Sequence, residues 1–263
     1  QRMIPAPFLR PPGAELLRHP FQKNVVNVRA SYFQETERLA HYLVDAKKLG
    51  KIACFYQNDS FGQAGLAGIT KALERRNMQL VATGNFERNT VAVKSALLEI
   101  KKGEPEAIVM VGPYKPCAEF IKLAKQVGLK ETVFCTISFV GTEALKLELA
   151  EAGEGVIISQ VVNSPFDPAI PLVKDYQEAL KKYAPNAKPG FVSLEGYLVG
   201  RFVCAALAKV EGDLTRAAFL KAVEEPGAFD IAGAKLTFGK EDHQGMEEVF
   251  LTVIQGGEIK PIP

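Results

Sequence analysis

Short apolar stretches alternate with segments of helical periodicity between Val25 and Val162. The apolar stretches predict buried strands, and they are VVNV, KIACFY, QLVAT, AIVMV, VFCTI and GVIISQVV. The segments between most of them place apolar residues at helical spacing. In PCAEFIKLAKQVGLK, for example, Pro116 suits the first turn and Gly128 suits the end of a helix. Repeated strand–helix units imply right-handed crossovers, so the pattern predicts an α/β fold with a parallel sheet and helices on both faces.

The pattern changes after Val162. A proline-rich stretch, NSPFDPAIP, predicts a crossing segment, and three helix-like runs follow it at Ile170 to Tyr183, Phe191 to Val210 and Leu214 to Glu224. Strand-like pieces come afterwards in AKLTF, EVFLTVI and EIKPI. Because parallel sheets normally interleave strands and helices, these three runs are helices without strands of their own.

Composition and charge exclude several classes of protein. The 263 residues suffice for one large or two smaller domains, and 47% hydrophobic with 24% charged residues is ordinary for a globular protein. A net charge of +2 predicts no nucleic-acid partner. No apolar stretch approaches the roughly 20 residues of a membrane-spanning helix, and the start QRMIPAPF shows no targeting segment. The cysteines are predicted to be buried and to form no zinc site, and they are Cys54, Cys117, Cys135 and Cys204.

A glycine-containing loop, YQNDSFGQAGLAG, follows the predicted strand KIACFY. Gly62, Gly65 and Gly68 form the pattern G-x-x-G-x-x-G, whereas the dinucleotide fingerprint is G-x-G-x-x-G. The carboxylate of Asp59 would also repel a pyrophosphate. A nucleotide-using enzyme therefore stays an alternative with little support. The structural interpretation is that Asp59 or Ser60 caps a helix and that Gly65 and Gly68, one turn apart, allow it to pack closely on the sheet.

Aromatic residues recur in the loops that follow predicted strands. Phe61, Phe86, Tyr114 and Phe139 each occupy such a loop, and Ser138 precedes Phe139. The carboxyl ends of parallel strands share one edge of a sheet, where open α/β folds bind ligands. Each aromatic alone is explained by packing, but together with hydroxyl groups they predict a ligand-binding face.

Recognisable catalytic motifs are absent from the sequence. It contains no G-x-S-x-G, Walker or H-E-x-x-H motif, and its three histidines are far apart. A triad assembled only in space stays open. The sequence therefore favours binding over catalysis, with no metal and no cofactor.

Seven stretches together carry a family resemblance, and they are NVRASYFQETERLAHYLV, KIACFYQNDSFGQAGLAGITKAL, GPYKPCAEFIKLAKQVGL, SFVGTEAL, AGEGVIISQVV, FVSLEGYLVGR and DHQGMEEVFLTVI. In this order they resemble the type I periplasmic solute-binding proteins, in particular the Leu/Ile/Val-binding family of branched-chain amino-acid ABC importers. The resemblance implies two Rossmann-like lobes with parallel sheets that close on a small ligand. It also implies a periplasmic or externally tethered protein that delivers its ligand to an ABC permease. The same fold also serves as a ligand-sensing domain of receptors or regulators, which stays an alternative.

The resemblance also assigns the lobes. Residues 1–28 and 164–245 correspond to the first lobe, and residues 29–163 and 246–263 correspond to the second. Family members are longer, so the resemblance implies that about the first hundred residues are missing and that the first lobe is incomplete. We expect another segment or a second copy of the chain to cover its apolar helix faces, because exposing them costs about 25 cal/mol per Å².

Individual residues carry over by position. The resemblance implies that Phe61 stacks on the ligand, that Tyr114 lines the next loop, and that Phe191 closes the pocket from the first lobe. Ser138 stands where amino-acid binders commonly have an acid that pairs with the ligand's ammonium group.

Ser138 leaves the ligand class open. Burying an ammonium group without a counter-charge costs several kcal/mol. A branched-chain amino acid therefore requires that Asp59 or Glu195 supply the charge. An aromatic or aliphatic carboxylate without an ammonium group fits the predicted site, with its neighbours Ser60 and Phe139, at least as well.

Overall fold

The computed structural model describes residues 13–262 and divides the chain into two units. Unit 1 comprises the described part of Gln1–Ser31 together with Val162–Glu248, and unit 2 comprises Tyr32–Val161 together with the described part of Val249–Pro263. Each unit is therefore built from two separate stretches of chain. The assignment of the units to a first and a second lobe stays a prediction. Residues 1–12, which the resemblance assigns to the first lobe, lie outside the described residues.

Unit 2 is built around a seven-stranded sheet. The strands in chain order are β1 Ile52–Gln57, β2 Ala82–Phe86, β3 Ala107–Val111, β4 Val133–Thr136, β5 Ile157–Gln160, β6 Ala228–Ile231, β7 Ala234–Thr237, β8 Phe250–Gln255 and β9 Glu258–Ile262, of which β6 and β7 belong to unit 1. The order of the strands in the sheet is β2-β1-β3-β4-β5-β8-β9. β1 to β5 pair in parallel, whereas β8 and β9 add antiparallel pairs at one side. The predicted α/β fold with a parallel sheet is confirmed.

Five helices accompany this sheet, and they are α1 Tyr32–Ala40, α2 Ser60–Glu74, α3 Lys94–Lys102, α4 Tyr114–Gln126 and α5 Thr142–Leu149. Phe55 of β1 stacks on Phe86 at 4.9 Å and on Phe120 at 4.2 Å between ring centroids, inside a cluster shared with α3, α4 and α5. Val111 of β3 points to the opposite face of the sheet, where it lies against Gly65 of α2. Strand side chains alternate between the two faces of a sheet, so helices cover both faces, as predicted.

Two details of the predicted strands are wrong. VVNV forms no strand, because within it only Asn27 makes a bridge, to Gln244. QLVAT is displaced, since β2 begins at Ala82 and continues to Phe86, which pairs with Gln57 of β1. Phe86 is therefore the last residue of a strand and not part of the loop. Its ring is 2% exposed and belongs to the core of unit 2.

Unit 1 contains three consecutive helices, α6 Pro171–Tyr183, α7 Phe191–Leu207 and α8 Arg216–Glu224, followed by the antiparallel pair of β6 and β7. Within the described chain no strand separates these helices, as the hydrophobic pattern predicted. An aromatic cluster connects α7 to the strand pair β6 and β7. The ring centroid of Phe202 lies 5.1 Å from that of Phe229 in β6 and 4.9 Å from that of Phe238, which directly follows β7.

The outer face of α7 is apolar and exposed. Val192 is 61% and Leu207 39% exposed, and a Cβ at Gly196 or Gly200 would meet nothing within 4 Å. Cys204 is also exposed, which contradicts the prediction that it is buried. The reason is that α7 carries apolar residues on more than one face, and Cys204 is not on the face that is buried. The buried face comprises Phe191, Leu194, Leu198, Phe202 and Ala206.

The other three cysteines are buried, as predicted. Cys54 lies in β1, Cys117 in α4 and Cys135 in β4. Burial raises the pKa of all three thiols. They therefore behave as small apolar side chains.

An ion-pair network joins the π-helical segment His41–Ala46, which continues α1, to the end of α2. Arg76 donates to Asp45 at 2.7 and 2.9 Å and contacts Glu37 at 2.8 Å. The hydrogen bond from Arg76, followed by that from His41, lowers the pKa of Asp45 from 3.8 to about 2. Its stabilising effect is therefore present above about pH 4 and is lost as the pH falls towards 2.

We expect Asp45→Asn to remove this part of the acid sensitivity. Denaturant unfolding should show Asp45→Asn less stable than the original chain at pH 6, with the difference shrinking at pH 2 to 2.5. Glu99→Gln is the matched control, because Glu99 makes an exposed pair with Lys102. Equal differences at both pH values would contradict this prediction.

Candidate functional site

Two aromatic side chains meet at the edge formed by the carboxyl ends of β1 and β4. Phe61 lies in the first turn of α2, directly after β1, and Phe139 lies in a short 3-10 turn at Ser138–Val140 after β4. Their ring centroids are 4.4 Å apart. Tyr32, at the start of α1, packs against Phe61 at 5.5 Å. Phe61 is 4% and Phe139 42% exposed, so the pair forms an apolar wall with one accessible ring.

Asp59 fixes the position of Phe61 by capping α2. Its Oδ1 atom accepts the backbone N–H groups of Phe61 at 3.0 Å and Gly62 at 3.1 Å, and its Oδ2 atom accepts Gln57 Nε2 at 2.6 Å. This confirms the predicted cap. Both carboxylate oxygens are thus engaged within the protein, whereas Ser60 is exposed as the first residue of α2.

The three loop glycines allow close contacts. A Cβ on Gly62 would overlap the backbone carbonyl group of Gln57, and one on Gly65 would lie 2.6 Å from Val111 of β3. Gly68 faces α1 and not the sheet, since its Cβ would lie 2.5 Å from Thr36 Oγ1. The close packing on the sheet predicted for Gly65 is confirmed, whereas the same prediction for Gly68 is wrong, and packing accounts for this glycine pattern without a bound phosphate.

Ser138 is held by a carboxylate that the sequence did not single out. Glu35, in the first turn of α1, accepts the Ser138 backbone N–H at 2.8 Å and its hydroxyl at 3.1 Å. Ser159 of β5 donates its hydroxyl to the same carboxylate at 2.6 Å. The Glu35 residue is fully buried. Its spacing was the missed signal, because Glu35 lies three residues after Tyr32 and four before Leu39, on the buried stripe of α1.

The other predicted site residues occupy different surroundings. Tyr114 is the first residue of α4, half-buried, and packs against the core cluster of unit 2. Phe191 is the first residue of α7 in unit 1, and its ring lies 6.1 Å from that of Phe166. Glu195, offered as a counter-charge, pairs with Arg29 at 3.5 Å. Unit 2 thus brings together Phe61, Ser138 and Phe139.

Residues 13–262 contain no group of three or more His, Cys, Asp or Glu side chains that converge as a metal site would require. No helix in that range has the length and apolarity to cross a membrane.

Comparison with known proteins gives concordant similarities. The family model described as Periplasmic binding protein matches residues 6–258. "Leu/Ile/Val-binding protein homolog 7" of Brucella abortus (strain 2308) is 27% identical over 202 residues, which is 74% of this chain and 48% of that relative. The chain thus spans about half the length of the curated relatives it matches.

Solved structures agree in fold. The crystal structure of a possible leucine/isoleucine/valine-binding protein from Rhodopirellula baltica SH 1 has a TM-score of 0.90 and 35% identity, covering 95% of this chain and 69% of that one. A branched-chain amino acid ABC transporter from Thermus thermophilus with bound valine has a TM-score of 0.83 and 20% identity, covering 95% and 69%.

The family match extends over nearly the whole chain, and the structure from Rhodopirellula baltica agrees in fold over 95% of this chain at 35% identity. The chain therefore belongs to the type I periplasmic binding proteins, in the branched-chain amino-acid family.

Proposed function

We propose that this chain is the extracytoplasmic solute-binding component of an ABC importer and that it binds a small amino acid or carboxylate. Support comes from its relatives, whose names describe Leu/Ile/Val-binding proteins and, in one structure, a transporter protein with bound valine. In this proposal the protein acts in the periplasm or tethered outside the membrane, delivers its ligand to a permease, and catalyses no reaction.

The observation that carries the proposal is the aromatic pair beside a polar group at the edge of the sheet. Phe61 and Phe139 provide apolar surface, and the adjoining Ser138 hydroxyl, bonded to Glu35, provides polar orientation. Ligand sites combine apolar walls with a few placed polar groups. In open parallel sheets they lie at the carboxyl ends of the strands.

The cap of α2 argues against the nucleotide alternative. The helix N-terminus that would receive a pyrophosphate already donates the Phe61 and Gly62 N–H groups to the Asp59 carboxylate. A phosphate would have to displace that carboxylate or bind next to its negative charge.

The proposal includes one further contact in unit 2 that is carried over from the family resemblance. Tyr114 is proposed to contact the ligand in addition to the edge residues, whereas the role of Phe191 in unit 1 stays a prediction of the resemblance. Self-association through the exposed α7 face, around Val192 and Leu207, is the proposed way of covering apolar surface in unit 1.

Titration calorimetry of the 263-residue chain tests the proposed function. The panel contains leucine, valine, phenylalanine, benzoate and 3-phenylpropanoate. We expect at least one of these ligands to bind with a micromolar dissociation constant, which corresponds to a binding free energy of about −8 kcal/mol. NAD and ATP are the comparison ligands, and thermal unfolding verifies that the chain is folded. Silence towards the whole panel from a cooperatively folded chain would refute the proposal, and stabilisation by NAD or ATP alone would favour the nucleotide alternative.

A further inference from the structure

A buried histidine in unit 1 has a hydrogen-bond acceptor at each of its two ring nitrogens. His243 Nδ1 lies 3.0 Å from the backbone oxygen of Val25, and its Nε2 lies 3.1 Å from Oε1 of Glu224, the last residue of α8. The His243 side chain is 2% exposed, and the ring centroid of Phe21 lies 4.8 Å from that of the imidazole. The imidazole is therefore held between two oxygen atoms and away from bulk water.

The two acceptors determine the protonation state in which both hydrogen bonds form. A neutral imidazole donates from one nitrogen and accepts at the other, whereas an imidazolium donates from both. The carbonyl oxygen of Val25 and the ionised carboxylate of Glu224 can only accept. Both contacts are thus hydrogen bonds only when His243 is protonated. A neutral ring would turn a lone pair towards one of the two oxygens and lose that bond.

The charges next to the ring favour the protonated form. The Glu224 carboxylate pairs with it directly, and the C-terminal end of α8 favours a positive charge through the helix dipole. The other charged residues close to these contacts in sequence are exposed or are engaged with other groups, and they are Arg18, Lys23, Lys221, Glu225, Glu241 and Asp242.

The same histidine lies where two stretches of unit 1 are joined. Residues 25–27 and 243–245 pair in parallel through a bridge, and we call this pair the junction. The backbone N–H of Asn27 donates to the carbonyl oxygen of His243 at 2.8 Å, and the N–H of Gly245 donates to the carbonyl oxygen of Asn27 at 2.7 Å. The protonated ring adds a side-chain bond within the junction and connects the junction to α8.

We propose that His243 is a pH-sensitive clamp, in which the protonated ring ties α8 to the junction. Both stretches of the junction continue into unit 2, one after Ser31 and the other after Glu248. Deprotonation leaves one ring hydrogen for two acceptors, so the bond to either Val25 or Glu224 is lost. Stabilisation that needs a bound proton is present at low pH and is lost as that proton dissociates. The junction therefore loosens as the pH rises through the range in which histidine titrates.

Amide hydrogen exchange of the 263-residue chain measures the clamp at the junction itself. The protection factors of the Asn27 and Gly245 N–H groups should fall at least about tenfold between about pH 5.5 and about pH 8.5, because opening of the junction exposes both groups. Nitrogen NMR of the chain with labelled histidine gives the protonation state directly. We expect two protonated ring nitrogens on His243 at the lower pH and one at the higher pH.

Glu224→Gln removes the charge and keeps the shape of the side chain. Its amide group can donate to Nε2 of a neutral ring while Nδ1 donates to Val25, so both bonds form without the additional proton. We expect the protection factors in this variant to change less than about threefold over the same pH range. Glu225→Gln is the matched control, because Glu225 is the next residue and makes an exposed pair with Lys221 at 3.6 Å. It should retain the full change.

The outcomes decide the inference without involving a ligand. Protection that does not depend on pH in the original chain overturns it. An equal pH dependence in Glu224→Gln and Glu225→Gln also overturns it, because another group would then be responsible. A single protonated nitrogen on His243 at about pH 5.5 overturns the assigned protonation state, and this measurement on the original chain stays decisive if Glu224→Gln fails to fold. None of these results bears on the proposed solute-binding function.

Discussion

Replacing Gly62 by alanine is expected to cost unit 2 more than about 4 kcal/mol of its free energy of unfolding. The added Cβ would overlap the carbonyl group of Gln57 and lie 2.7 Å from its carbon atom. Gln57 is the last residue of β1 and pairs with Phe86, and Gly62 donates its N–H to the Asp59 cap. Neither the strand nor the helix start can move without losing these bonds. Denaturant unfolding measures the effect.

Gly196→Ala is the matched control for this substitution. Gly196 is also helical, but a Cβ there would meet nothing within 4 Å. Alanine should therefore stabilise α7 by about 0.5–1 kcal/mol, the usual gain over glycine in a helix. If Gly62→Ala unfolds within about 1 kcal/mol of the original chain, the close approach of α2 to β1 is wrong, and with it the packing explanation of the glycine pattern.

Phe61→Leu is expected to weaken ligand binding about ten- to a hundredfold while leaving the fold intact. Leucine keeps much of the apolar volume, but it removes the aromatic face that contacts Phe139 at 4.4 Å and is proposed to contact the ligand. Aromatic contacts add about 0.5–1.5 kcal/mol to the gain from apolar burial. The loss of the aromatic contact together with part of the apolar burial gives the expected decrease in affinity, which titration calorimetry measures with the best ligand of the panel.

Phe120→Leu provides the control for this experiment. Phe120 is a core residue of α4 that stacks on Phe55 at 4.2 Å, so its substitution should lower the stability of unit 2 with affinity changed less than about threefold. Equal losses of affinity in both variants would show that Phe61 acts through general stability. Unchanged affinity in Phe61→Leu would remove Phe61 from the proposed site.

Local sequence signals predicted the elements that depend on local physics. Apolar residues recur with a period of about two in strands and 3.6 in helices, and this difference separated most of the strands from the helices in unit 2. A capping residue predicted at Asp59 or Ser60 marked the start of α2. Such signals are local because a side chain's face and a helix terminus depend on residues only a few positions away. For the same reason, the sequence predicted three consecutive helices in unit 1.

Local signals failed where strand pairing extends an element or where a helix carries apolar residues on more than one face. Phe86 was predicted to lie in the loop after the predicted strand QLVAT, yet pairing with Gln57 of β1 extends the strand to that residue and its ring is buried. Cys204 was predicted to be buried, but α7 has more apolar positions than the rest of unit 1 covers. Tertiary contacts decided both outcomes.

The sequence by itself predicted the parallel α/β architecture, a helix start capped by Asp59 or Ser60, and the positions of Phe61 and Phe139 shortly after predicted strands. Only the tertiary structure showed that Glu35 holds Ser138, a residue 103 positions away. It also showed that the hydroxyl of Ser159, 124 positions from Glu35, reaches the same carboxylate. Periodicity records which face a residue occupies, but it does not record which distant donors reach that face. That depends on how strands and helices pack, and here it determines the polarity of the proposed site.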